Sequence, residues 1–158
     1  MGTRSRIAVM HGTVCKSVYC HWDGYLEHNG EILAEHYDSG KANQLVALGD
    51  MSSLRKDIGE KHAFSKFDLA SQIEQRLHEE TTQDMCTFYG RDRGEKDVGW
   101  KVSHTFEEFL EQVDACVGEY YYVMENSVWY CGSMYGNFAR RLVRLDEALA
   151  SVKETENA

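Results

Sequence analysis

The densest grouping of reactive side chains in this chain runs Tyr19, Cys20, His21, Trp22, Asp23, Gly24, Tyr25, Leu26, Glu27, His28, Asn29, Gly30. His21, Asp23 and His28 are its catalytic candidates. An imidazole near a carboxylate can act as an acid/base pair, and two imidazoles can hold a phosphate. Trp22 and Tyr25 can stack on a ring and so serve as binding residues. The same composition also fits a plain turn, in which Asp23 and Gly24 shape the backbone, the two aromatics close the core edge and nearby carbonyls satisfy the histidines. A second group, residues 89–95, reads Tyr, Gly, Arg, Asp, Arg, Gly, Glu. Here Arg91 and Arg93 can grip a phosphate bidentately, or can pair with Asp92 and Glu95 on an exposed loop. Neither group alone holds enough side chains to position and polarise a substrate, so an enzyme or a nucleotide-binding module requires the two loops to converge.

The well-marked enzyme classes find no support. There is no Walker loop, dinucleotide fingerprint, HExxH, GxSxG or CxxC zinc pattern. The five cysteines, Cys15, Cys20, Cys86, Cys116 and Cys131, are an odd set without a regular framework, as expected of small buried thiols in a reducing compartment. On a strand Cys15 and Cys20 point to opposite faces, which prevents them from chelating one metal ion. No metal and no cofactor is therefore expected.

Charge is more informative in its distribution than in its total. The net charge is −9, and residues 105–158 carry ten acidic side chains against four basic ones. Glu107, Glu108 and Glu111 lead a stretch that reaches Glu125 without a Lys or Arg. That stretch forms either a solvated helix face or a patch that steers a basic partner. Direct nucleic-acid binding through a broad basic surface is disfavoured.

Those residues must be held by a framework, and the pattern predicts one α+β domain over 1–150, a mainly antiparallel sheet of about five strands covered by helices. Residues 5–10 and 13–21 alternate as two strands about a turn at His11 and Gly12. Helices are predicted from Ile32, Leu33, His36 and Tyr37, and after Ser39 with Gly49 as the stop. Leu69, Ile73 and Leu77, spaced four apart, suggest another helix inside the weakly patterned stretch 51–83. Residues 85–89 read as a strand. Thr105 and Glu108 form a capping box ahead of a helix that buries Phe106, Phe109, Leu110, Val113 and Val117. A hairpin turns at Asn126 and Ser127, and Phe138, Leu142, Leu145 and Leu149 place a final helix, with disorder expected over 151–158. With 42% apolar and 27% charged residues the chain can bury a core. No apolar run approaches the ~20 residues that cross a bilayer, and no secretory leader is read at the start. A cytoplasmic location without membrane association is expected.

The blocks TRSRIAV at 3–9, YCHWDGYLEHNG at 19–30, ALGD at 47–50 leading on to Leu54, and YGRDRGE at 89–95 resemble those of a family of small proteins found in tailed bacteriophages and bacteria. The likeness covers most of the chain and is thinnest over 56–83. It implies no activity and transfers no catalytic residue. What it implies is context: a phage accessory protein in the bacterial host cytoplasm, of the kind that binds and inhibits a host defence or housekeeping factor. Against that expectation stand two others, the small enzyme or phosphate-binding module described above, and a DNA mimic. Mimicry needs rows of carboxylates, whereas the acids outside 105–125 are interleaved with Lys and Arg.

Assembly is the remaining expectation. Tyr120 and Tyr122 share one face of the last hairpin and Tyr121 the other, so both faces are aromatic. Only one can cover the domain's own helices. Tyr121 is accordingly expected on a homodimer or host-partner interface, unless residues 51–83 fold over it.

Overall fold

The computed structural model describes residues 2–136 and 138–156. Side-chain parity organises it from the first strands. Strand β1 (Ser5–His11) and strand β2 (Val14–Cys20) form an antiparallel hairpin, with Ser5 opposite Cys20 and His11 opposite Val14, turned at Gly12 with φ of 64°. Ile7, Val9, Val18 and Cys20 face one side of the sheet, and Ala8 and Cys15 the other. The alternation read in the sequence is thus the alternation of two cores.

After β2 the chain makes a π-helical turn (Leu26–Gly30), helix α1 (Glu31–His36) and helix α2 (Ser39–Ala47) before strand β3 (Met51–Ser53). The Asp38 carboxylate caps α2 by accepting from the Lys41 backbone N–H at 2.8 Å, and Gly49 ends the segment with φ of 88°. Because two helices intervene, β3 returns parallel to β2, with Cys20 opposite Met51. A 3-10 turn (Lys66–Asp68) and helix α3 (Gln72–Thr82) follow, then strand β4 (Thr87–Phe88), antiparallel to β3, and the short helix α4 (Tyr89–Arg93). Strand β5 (Lys101–Ser103) joins the free part of the β2 edge, with Ser103 opposite Cys15.

Helix α5 (Phe106–Ala115) begins as its capping residues dictate, the Thr105 hydroxyl accepting from the Glu108 N–H at 3.1 Å. The reciprocal bond differs from the expected box: the Glu108 carboxylate accepts from His104 N–H instead of Thr105. Phe109, Leu110 and Val113 are buried, whereas Val117 is exposed beyond the helix end. Strand β6 (Tyr120–Glu125) then lies parallel to β1, and strand β7 (Val128–Ser133) pairs with it across Asn126 and Ser127, both with positive φ. Strand β8 (Val143–Arg144) leads into helix α6 (Leu145–Glu156). Phe138 and Leu142 precede this helix and are not part of it. The helix runs into the segment expected as a tail, and residues 157–158 lie outside the described ones.

The domain is α+β as expected, but the sheet is mixed and eight-stranded, not mainly antiparallel with about five strands. Its order is β4-β3-β2-β1-β6-β7-β8, with β5 pairing β2. The strands added, β3, β5 and β8, are two or three residues long, too short to show alternation, and the parallel pairs arise where helices separate neighbouring strands. Helices cover both faces. Leu33, Leu45 and Leu145 from α1, α2 and α6 pack on Ile7, Val18, Tyr122 and Trp129, while Phe109, Leu110 and Val113 of α5 pack on Ala8, Tyr121 and Val123. Among the described residues no helix is long and apolar enough to cross a membrane.

Candidate functional site

The two reactive loops emerge side by side. His21 and Trp22 donate their backbone N–H groups to the carbonyls of Met51 and Ser52 in β3, and β3 pairs on its other edge with β4, which leads into α4. One strand therefore separates the 21–30 segment from the 89–95 segment, about 10 Å across two strand spacings. Asp50 ties them together: its carboxylate accepts from Tyr19 N–H at 2.9 Å and its carbonyl from Tyr89 N–H at 3.2 Å. Burial raises the pKa of this carboxyl, and the Tyr19 N–H opposes the rise.

Adjacent as they are, the polar groups mostly serve the fold. His21 Nδ1 lies 2.5 Å from the Tyr19 hydroxyl, and its ring meets the half-exposed Trp22 edge-on at 4.5 Å. Asp23 holds φ of 57°, and its carbonyl accepts from Asn29 N–H. His28 Nδ1 donates to Asn29 Oδ1 at 2.9 Å, and the Asn29 amide, fully buried, reaches Ser5 Oγ and Cys20 Sγ. Tyr25 precedes the π-helical turn and sits beside the His28 ring. Among the described residues no hydrogen bond or ion pair joins His21, Asp23 and His28 to one another, so neither imidazole has a carboxylate to orient it as an acid/base group.

Arg91 is turned inward. Its guanidinium donates to the carbonyls of Ile58 and Cys86, both at 2.9 Å, and to both oxygens of Asp92. Asp92 is the buried anchor of the segment, accepting also from the N–H groups of Phe88 at 2.7 Å and His62 at 3.1 Å. The expected exposed loop is thus a helical turn whose first arginine ties residues 58–62 to 86–92. Arg93 stays at the surface, paired with Glu95 and lying over the rings of Phe64 at 4.3 Å and Tyr89 at 5.1 Å. Sequence reading missed Asp50 and His62, and it gave Asn29 and Asp92 no role beyond their own segments, because these roles depend on contacts between distant segments.

Tyr121 is a correction. It is completely buried under α5, its ring meeting Phe109 edge-on at 5.6 Å and its hydroxyl donating to the Arg141 carbonyl. The second aromatic face is therefore covered within the chain, by α5 and not by residues 51–83, and Tyr121 cannot line a dimer or host interface.

Two surfaces stand out among the described residues. Glu107, Glu108 and Glu111 lie exposed on α5, and none is ion-paired among the described residues. The other is α3. This helix packs on the body through its polar side, Gln75 Nε2 donating to the Leu69 carbonyl and His78 Nε2 contacting the Ala63 carbonyl at 2.7 Å. Its apolar residues point the opposite way. Ile73 is 82% exposed and Leu77 58%, and Phe67 of the adjoining 3-10 turn is 78% exposed. The four-residue spacing that suggested a helix thus marks its outward side at Ile73 and Leu77, while Leu69 precedes the helix.

Comparison with protein-family models, with curated proteins and with solved structures returns no match.

Proposed function

We propose that this chain is a phage accessory protein that binds and inhibits a host protein without catalysis, and that α3 forms the centre of its binding surface. The observation that carries the reading is the reversed polarity of α3. A helix held by Gln75 and His78 while Ile73, Leu77 and Phe67 stand in water loses the burial that ordinarily stabilises an amphipathic helix. Docking that stripe into an apolar groove of a partner recovers it, at about 25 cal/mol per Å² of apolar surface. Glu74, Arg76 and Glu80 border the stripe, so the groove that fits has a rim of mixed charge with basic groups in excess. The phage context rests on the sequence blocks, and the inhibitory role follows from that context.

The test is photo-crosslinking in bacterial lysate with a photoreactive residue at position 73, compared with the same residue at the exposed Glu35 of α1. A saturable host protein captured at 73 alone, and lost when Phe67→Glu and Leu77→Glu are added to the chain that is photoreactive at 73, is the expected result. Equal capture by the double variant, or crosslinks only between copies of this chain, overturns it.

A further inference from the structure

A second site, independent of α3, lies between the first turn of α5 and the sheet. Its floor is made of side chains that share the α5-facing side of four strands, Met10, Cys15, Ser103 and Val123, and Phe106 and Phe109 form its roof. The cavity measures about 200 Å³. Apolar cavities of about 150 Å³ hold a benzene ring, so this one has room for a single ring and a small substituent.

The polar content of the pocket selects the ligand. Ser103 is fully buried, and its hydroxyl has no hydrogen-bond partner among the described residues. The Cys15 thiol is near enough for the hydroxyl to offset part of the pKa rise that burial imposes on it, but the two do not meet hydrogen-bond geometry. Buried hydroxyls are ordinarily satisfied, and one left open in a cavity is a ready partner for a group that enters it. A hydroxyl both donates and accepts, so it pairs with a ligand hydroxyl in either sense. Glu125 also lines the cavity, and Glu107 and Glu108 occupy the first turn of the roofing helix. Their charge disfavours an anionic ligand.

We propose that this pocket binds an uncharged single-ring compound bearing one hydroxyl, its ring against the half-buried Met10 and Phe106 and its hydroxyl toward Ser103 Oγ.

The test is amide NMR titration of the full chain with 4-methylphenol, toluene and benzoate. Saturable shifts at Cys15, Ser103 and Val123 with 4-methylphenol are expected, with weaker binding of toluene and none of benzoate. Ser103→Ala should weaken 4-methylphenol about tenfold and leave toluene unchanged, the size of one buried hydrogen bond. Leu142→Trp, at the exposed rim of the pocket, should abolish both without unfolding the domain. Linear, non-saturating shifts, or binding that survives Leu142→Trp, overturn the site. Equal affinity for toluene and 4-methylphenol overturns the role of Ser103 and with it the ligand class.

Discussion

Gly132 is the cross-strand partner of Tyr121, and a Cβ at that position would collide with both the Tyr121 hydroxyl and the Arg141 carbonyl that this hydroxyl bonds. The missing side chain is what lets the phenol extend across β7. Gly132→Ala should therefore destabilise the domain by roughly 1–3 kcal/mol, the usual range for overpacking. Tyr121→Phe should cost about 1 kcal/mol for the lost bond. Because Phe removes one of the colliding atoms, urea unfolding of the double variant should show a loss smaller than the sum of the two. Additive losses would mean the residues act independently.

Asp92 gathers four donors, from Phe88, His62 and two nitrogens of Arg91, with its side chain fully buried. Asp92→Ala would leave those backbone N–H groups and a nearly buried guanidinium without their acceptor. A loss of about 3–5 kcal/mol is expected, seen as a large fall in urea midpoint with an unchanged slope. Inorganic phosphate should not raise the melting temperature of the wild type, since Arg91 is already committed to internal acceptors. Phosphate stabilisation abolished by Arg91→Lys would restore the anion-binding reading.

These two relationships mark the limit of what sequence made legible. The hairpin of β1 and β2, the α5 cap at Thr105 and the positive-φ turn at Asn126 and Ser127 depend on residues close in the chain, and all were readable. Asp92 joining His62, and Tyr121 meeting Gly132 and Arg141, depend on which segments become neighbours, and short strands such as β3 and β8 carry no periodicity to announce it. The Leu69, Ile73 and Leu77 spacing identified a helix, which begins after Leu69. Spacing could not say which side of it faces the body, because Gln75 and His78 hold it through specific carbonyl contacts and not through its apolar residues.

The thiols should separate by accessibility. Cys20 and Cys131 are fully buried and their pKa values are pushed up to about 12 by burial. Cys86 is buried and also raised, with Tyr37 and Arg55 as hydrogen-bond partners. Cys116 is partly exposed at the end of α5. Iodoacetamide at pH 8 should modify Cys116 first and Cys15 more slowly, while Cys20, Cys86 and Cys131 react at the rate of unfolding. Peptide mass spectrometry over a time course reads the order. Early labelling of Cys20 or Cys131 would contradict the packing described for β2 and β7.

The Tyr19 and His21 pair should make stability fall on the acid side of neutrality. Burial raises the Tyr19 hydroxyl to about 12, so it remains a proton donor, and neutral His21 Nδ1 is its acceptor at 2.5 Å. Burial lowers the His21 pKa below its ordinary 6.5, and the neighbouring Arg4 adds repulsion against the imidazolium. Well above pH 6.5 the ring is neutral both folded and unfolded and contributes no pH dependence. Below 6.5 the unfolded chain takes up the proton more readily than the folded one, so stability is lost as pH falls toward the folded pKa. His21→Gln, which retains an acceptor that cannot titrate, should flatten the stability profile between pH 7 and 5 relative to wild type. NMR of the His21 ring should give a midpoint below 6.5 that Arg4→Met moves upward. A midpoint at or above 6.5, or an equal acid slope in His21→Gln, would refute the assigned coupling.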